Sequence, residues 1–216
     1  MSNYRYWLSK EYSQWIDALN ESTVHNFKDH PIVKRMLGDF DGSLYRDLVI
    51  ADHLIESIDR VGYSNPETIS GAGLRMLYYA KQILLKRFSS IVEIGAGAGE
   101  FYAILRALGY TGDYMIMDLP EVMEFQKKYL LEIEKTVDIR LPLVPLGRYD
   151  VCISFFALGE FDDEAKDYYI KQVFPKCDHG FILWNPHSGA SQEIPFPCRV
   201  RPQRPLEHPD CKQLEW

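Results

Sequence analysis

Little of this chain is basic, little is cysteine, and no stretch is continuously apolar for long. Lysine and arginine number 24 against 31 aspartates and glutamates, a net charge of −7 at neutral pH. A protein built around DNA or tRNA carries a basic face, whereas the basic residues here cluster only late, at Arg199, Arg201 and Arg204. Nucleic acid is not the expected partner. The four cysteines, Cys152, Cys177, Cys198 and Cys211, form no C-x-x-C pair and no metal-ligand spacing, so reduced thiols in a cytoplasmic protein are expected. No apolar run approaches membrane-spanning length, and Met1-Ser2-Asn3-Tyr4 opens no secretory core, so no membrane partner is expected. His25, His30, His53, His179 and His208 show no paired spacing, and surface or helix-face positions explain them. There is no internal repeat and no low-complexity linker.

What is present fits one sizeable unit. A chain of 216 residues accommodates a single α/β core with an appendage, and two full domains would be cramped. Residues 1–88 carry no strand pattern and read as a helical N-terminal cap. Leu44, Leu48, Ala51, Leu54, Ile55 and Ile58 share one helical face, as do Leu74, Leu77, Tyr78, Leu84, Leu85 and Phe88. Ser64-Asn65-Pro66-Glu67 reads as a helix start, and Gly71-Ala72-Gly73 predicts a kink or break. Residues 89–216 read as the core, packed with the cap as one compact unit. Strands at 90–95, 113–118, 149–156 and 179–185 alternate with helices at 98–109, 120–134 and 162–173, with a weaker strand at 139–144. That alternation predicts a mostly parallel sheet with helices on both faces. The tail from Ser188 holds Pro195, Pro197, Pro202, Pro205 and Pro209, too many for a central strand.

The most informative stretch is Ile91-Val92-Glu93-Ile94-Gly95-Ala96-Gly97-Ala98-Gly99. A β-branched strand ends in an acid, three glycines alternate, and a helix pattern follows, which is how a strand–turn–helix loop that closes over a cofactor is written. Dinucleotide loops read G-x-G-x-x-G; here the third glycine comes one residue early and Glu100 stands where that motif wants glycine or alanine. Acid, apolar, G-x-G-x-G after a strand resembles the class I S-adenosylmethionine-dependent methyltransferases. The resemblance implies that the glycine turn, with Gly95, Ala96, Gly97 and Gly99, passes under the methionyl part of the cofactor, and that Glu93 helps to hold its ammonium. It also implies a Rossmann-like class I methyltransferase fold, α/β, with a mostly parallel seven-stranded sheet completed by a C-terminal β-hairpin from the tail. A second strand, Asp113 to Met117, ends in Asp118 about twenty residues past the glycines, where it should sit beside the first. Asp118 can accept hydrogen bonds from a ribose diol, and Leu119 can cover one face of an adenine. Pro120 and Glu121 suit a helix's first turn. Ser154 and Phe155, at the end of the fourth strand, complete the expected cofactor wall.

Ligands in open α/β sheets bind outside the carboxyl ends of the strands. After the fourth strand comes Phe156-Ala157-Leu158-Gly159-Glu160, and after the fifth Asn185-Pro186-His187, so Glu160 and His187 are expected on the reacting rim. Holding a nucleophile in line with the methyl contributes several kcal/mol. A hydroxyl is hardly ionised at neutral pH, so a base that takes its proton adds about 10²–10⁴-fold. Glu160 and His187 are the candidate bases; Glu160 equally suits an acidic helix start, and His187 a bond to a loop carbonyl. Asp162, Asp163 and Glu164 are read as a solvated helix cap rather than a magnesium site. Core packing is the default for Tyr78 and Tyr79.

From about Asn65 to Asn185 the chain resembles the sugar O-methyltransferases of bacteria and viruses. The residues that carry this are Asn65-Pro66, Tyr78-Tyr79, Val92 to Gly97, Asp118-Leu119-Pro120 with Gln126 and Tyr129-Leu130, and a glutamate soon after the fourth strand. That family commonly has Ser-Glu at the last site, where this chain has Gly159-Glu160. The resemblance implies methyl transfer from S-adenosyl-L-methionine to a sugar or glycan hydroxyl, a deoxysugar such as rhamnose being one fitting acceptor. The cap and the Arg199–Arg204 tail would shape the acceptor site, the arginines meeting a phosphate or carboxylate on it. The ends of the chain also admit a domain cut from a larger glycan-building polypeptide. Two other classes stay open: a catalytically silent methyltransferase-like subunit, and an NAD-dependent oxidoreductase whose loop tolerates Glu100.

Overall fold

The structure is a computed structural model that describes residues 10–21, 30–33, 45, 71–133, 138–140, 147–184, 194–204 and 210–216. Its centre is a seven-stranded sheet of β1 (Ser90–Ile94), β2 (Asp113–Met117), β3 (Asp138–Arg140), β4 (Tyr149–Phe155), β5 (Cys177–Trp184), β6 (Arg199–Pro202) and β7 (Lys212–Glu215), in the order β3-β2-β1-β4-β5-β7-β6. The first five strands pair in parallel, and β7 runs antiparallel to both β5 and β6. The described residues include the helices α1 (Lys10–Glu21), α2 (Gly71–Leu85), α3 (Glu100–Ala107), α4 (Pro120–Ile133), α5 (Ala157–Glu160) and α6 (Asp163–Tyr168).

Parallel strands covered on both faces need side chains that are apolar in both directions. Ile91, Tyr114, Ile116, Val151, Ile153, Phe155 and Leu183 point into one core with α2, α3 and α4. Their sequence neighbours Val92, Ile94, Met115, Met117, Cys152, Ile182 and Trp184 point into the other, with α5 and α6. On the first face Leu74, Leu77 and Phe101 are buried completely or nearly so, each contributing about 1.5–3 kcal/mol. α1 packs on α4 and adds Trp15 and Leu19 to the same core. Cys152 and Cys177 are buried free thiols filling the second core.

Departures from the expected elements have local causes. Gly71 and Gly73 open α2 rather than kinking it, and Leu85, placed on the apolar face by periodicity, is 66% exposed at the helix end. The helix expected over 162–173 begins with Asp162, whose carboxylate accepts from the Ala165 N–H at 2.8 Å, and widens into a π turn at Tyr169–Val173. Pro175 then sits in a short 3-10 turn, Phe174–Lys176. α5, between β4 and α6, was not anticipated. β6 contains Pro202 and is tolerated because it is an edge strand. The face from Leu44 to Ile58, the helix start at 64–67 and most of the weak strand at 139–144 lie outside the described residues. Among the described residues no helix is long and apolar enough to cross a membrane.

At the amino ends of β1 and β4, Asp150 accepts from the Ser89 N–H and hydroxyl, both at 2.6 Å, and from the Ser90 N–H at 3.3 Å. These bonds hold its carboxyl below the ordinary carboxylate value. Asp150→Ala is expected to cost about 1 kcal/mol at pH 7, less than a buried charged hydrogen bond because the site is open to water. The cost fades as pH falls through the depressed carboxyl value. Urea denaturation at pH 7 and pH 3 checks this; an unchanged midpoint at pH 7 would rule the staple out.

Candidate functional site

The strand order reverses between β1 and β4, so their carboxyl ends diverge and leave a crevice. A cleft of about 220 Å³ occupies it. Its floor is the glycine turn after β1. Gly95 and Gly97 have φ of +69° and +58°, a backbone that side chains rarely adopt. A side chain at Gly95 would run into Ala157, whereas at Gly97 its first carbon would meet only Trp15, at 4.0 Å. Gly97 therefore offers bare backbone to whatever fills the cleft.

Asp118, at the end of β2, closes against this turn. One carboxylate oxygen accepts from the Gly97 N–H at 3.2 Å and from Gln126 Nε2 at 2.7 Å; the other accepts from the Leu119 N–H at 2.8 Å. Gln126, on α4 and fully buried, also donates to the Gly97 carbonyl at 2.7 Å. Burial nonetheless raises the Asp118 carboxyl to about 6, the hydrogen bonds working against it. Glu93 is deeper still. Burial pushes its carboxyl up to about 8, opposed by the Tyr114 hydroxyl, which donates to it at 2.7 Å, and reinforced by the charge of Asp118. Glu160, the last residue of α5, also lines the cleft, and burial raises it to about 7.

Three acids with raised values around one cleft form a site that favours a cation: a positive ligand would stabilise their charged forms where burial disfavours them. The open glycine turn and the hydrogen-bond acceptors of Asp118 fit the amino-acid and nucleoside ends of S-adenosylmethionine by shape and charge.

The structure brings Glu93, Gly95, Ala96, Gly97, Asp118, Phe155 and Glu160 together around this cleft. Gly99, Leu119 and Ser154 do not line it. Gly99 caps α3 and lies over Leu130, Leu119 packs partly buried on the α2-side core, and the buried Ser154 hydroxyl accepts from the Leu158 N–H at 3.2 Å, holding α5. His187 lies outside the described residues. Other lining residues were not foreseen, among them Trp15, Arg75, Glu100 and Phe156. Arg75 was legible as a charge in the apolar first half of α2, and its guanidinium stacks 4.8 Å from the Phe156 ring centre. Phe156 has a φ of +69°, strained for an aromatic residue, and is held by its N–H bond to the Leu183 carbonyl at 2.8 Å. Nothing in the sequence marked Trp15.

Removing the Tyr114 hydroxyl takes away the one bond that lowers the Glu93 value. Tyr114→Phe should therefore raise the Glu93 carboxyl above about 8, which side-chain carboxyl NMR across a pH series reads directly. A downward movement would contradict the desolvation argument.

No family model matches the chain, and no curated protein matches it in sequence. Solved structures do match in fold. The methyltransferase domain of bacterial CtHen1 aligns with a TM-score of 0.50 at 11% identity, over 65% of this chain and 96% of that one. The mitomycin 7-O-methyltransferase MmcR aligns over 98% of this chain and 69% of its own, at 13% identity and a TM-score of 0.48. Human N-acetylserotonin methyltransferase, solved with SAM, aligns at 17% identity and a TM-score of 0.41, over 83% of this chain and 50% of its own. The chain spans about half the length of several matching proteins. With a parallel sheet in the order β3-β2-β1-β4-β5-β7-β6, an antiparallel β7 and a glycine turn at the switch point, this chain has the Rossmann-like class I methyltransferase fold.

Proposed function

We propose that this protein is an S-adenosyl-L-methionine-dependent methyltransferase that acts on a hydroxyl of a sugar or glycan. The observation that carries the methyltransferase reading is the cleft at the switch point, where Glu93, Asp118 and Glu160 surround an open glycine turn with raised carboxyl values. The sugar acceptor rests on the sequence resemblance alone. In this reading residues 1–88 are a cap, contributing Trp15 and Arg75 to the cleft, and residues 89–216 are the core.

When bound, the cofactor supplies a methyl group on a cationic sulfur, a good leaving group. The residues of this chain do the rest. Gly95, Ala96 and Gly97 offer backbone at close approach, Glu93 holds the ammonium, and Asp118 accepts from the ribose hydroxyls. Asp118 already takes bonds from Gly97, Leu119 and Gln126, so its orientation is set before any ligand arrives. Glu160 accepts the acceptor's hydroxyl proton; a value of about 7 is suited to a base at neutral pH. Trp15, Phe155 and Phe156 keep water from the reacting oxygen.

The first experiment is calorimetric titration with S-adenosylhomocysteine, with NAD in parallel. Micromolar binding of the first and none of the second is expected; no binding of either would sink the reading and leave the silent subunit in its place. Gly97→Val, which puts a β-branched residue at a φ of +58° and fills the cleft, should weaken binding by roughly a hundredfold or more.

The pH dependence has a definite sign. Glu93 is mainly protonated at pH 7 before a cation arrives, so binding S-adenosylmethionine expels a proton and affinity rises from about pH 6 to about pH 8. Glu93→Gln should flatten this rise, and titrations in buffers of different ionisation enthalpy count the protons. An affinity independent of pH would contradict the role of Glu93.

Glu160→Gln should leave S-adenosylhomocysteine binding intact and slow transfer by roughly 10²–10⁴-fold. The wild-type rate should climb with pH through about 7. Intact turnover in this variant would move the base role to His187.

A further inference from the structure

A second cavity, of about 850 Å³, lies on the α2 side of the sheet and shares no lining residue with the cofactor cleft. Its floor is the β5-β7-β6 end of the sheet. Register fixes what points into it: Phe181 and Arg199 both stand opposite Glu215, and Arg201 stands opposite Gln213. One wall is α2, which presents Tyr78 and Gln82 one turn apart, continued by Lys86 just past the helix end. The Tyr79 ring lies 5.8 Å from that of Phe155 and 5.5 Å from that of Phe181, and this aromatic seam separates the two cavities.

The charge in this cavity runs against that of the whole chain. Lys86, Arg199, Arg201 and Arg204 line it with one acidic side chain, Glu215, in a protein of net charge −7. Glu215 is shared: one oxygen lies 3.5 Å from the Arg201 guanidinium and the other accepts from Gln213 at 2.6 Å. Arg201 Nε is buried without a hydrogen-bond partner, which costs stability unless a ligand supplies an acceptor. Among the described residues, Lys86, Arg199 and Arg204 have no carboxylate in ion-pair range.

We infer that this cavity binds a phosphorylated small molecule carrying two or more phosphate groups. Guanidinium forks match phosphate oxygens two at a time. Arg199 and Arg201, on the same face of one strand, stand roughly 6.5 Å apart, a spread that suits a diphosphate better than a single phosphate. The volume lies within the range of small-molecule sites, about 300–1,000 Å³. Tyr78, Phe181 and Trp216 supply flat surface beside the cations for a ring on the ligand. A nucleoside diphosphate has this chemistry. The arginines that sequence alone placed at the acceptor thus lie behind the aromatic seam, and the inference does not depend on the methyl-transfer reading.

Calorimetric titration of the whole chain with pyrophosphate, uridine diphosphate and adenosine diphosphate at low salt tests it. Saturable binding below about 1 mM is expected for at least the nucleoside diphosphates, weakening with added salt. The Arg199→Gln/Arg204→Gln double variant should weaken it by roughly tenfold or more. Both residues are exposed, so the variant should fold, and S-adenosylhomocysteine binding in the same preparation should be unchanged. No saturable binding up to about 10 mM, or binding that the double variant leaves intact, would overturn the inference. So would a single-stranded RNA that binds roughly a hundredfold more tightly with the same arginine dependence, because the site would then be a nucleic-acid surface. Loss of S-adenosylhomocysteine binding in wild type with diphosphate binding retained would count against the proposed function alone.

Discussion

The site depends on how the end of β2 is tied to the turn that leaves β1. Parallel pairing sets Ile94 beside Met117, and the Gly95 N–H continues the ladder to the Met117 carbonyl at 2.9 Å. One residue further, Asp118 takes the Gly97 N–H, and Gln126 bonds both the Gly97 carbonyl and the Asp118 carboxylate. The turn has no polar side chain of its own to anchor it. Its shape is imposed by a buried amide from α4 and an acid from β2, and this lets glycine face the cleft without collapsing into it. A carboxylate held by neutral donors rather than a cation keeps its charge available. That is why Asp118 can be buried and raised to about 6 yet remain an acceptor in the neutral range.

The same logic separates the two cavities. Near the switch point the acids sit in apolar surroundings whose strands carry Ile, Val and Met, so desolvation raises their values and favours a positive ligand. At the far edge, β6 and β7 are short and polar on the α2 side, and Gln82 of α2 and Lys86 just after it face the same cavity. The sheet thus runs from a cation-seeking end to a cation-lined one. Tyr79, fully buried between them, has its hydroxyl bound to the Arg204 carbonyl at 3.2 Å and its ring against Phe155. Because Phe155 walls the cofactor cleft and Phe181 the other cavity, the seam is a wall common to both sites.

What was legible in the sequence was what local pattern encodes. The parallel sheet followed from apolar strands alternating with amphipathic segments, and the glycine turn followed from its spacing after β1. Asp118 was legible because a second strand must end beside the first. Gln126 has a place in a sequence motif, but its two bonds depend on how α4 lies over the loop, which no local pattern states. Trp15 reaches the cleft across more than eighty residues of chain by packing α1 on α4, so its role is a product of tertiary structure alone. α5 was invisible because a four-residue helix has no periodicity to detect; it exists because Ser154 accepts its Leu158 N–H and Phe156 takes a positive φ to start it.

That strained start has a consequence for Glu160. β4 would carry Phe156 straight on in extended backbone. The positive φ instead turns the chain across the end of the sheet, placing Ala157 under Gly95 and Glu160 at the cleft one helical turn later. The stacking of Arg75 on the Phe156 ring and the bond of its N–H to Leu183 hold the turn in that state. Substituting glycine at 95 by any larger residue would push Ala157 away, and with it the helix that carries Glu160. The first glycine of the turn therefore does more than admit a cofactor. By permitting Ala157 to approach, it sets how far the acid at the end of α5 stands from whatever the turn holds, and the two halves of the site are positioned by one contact.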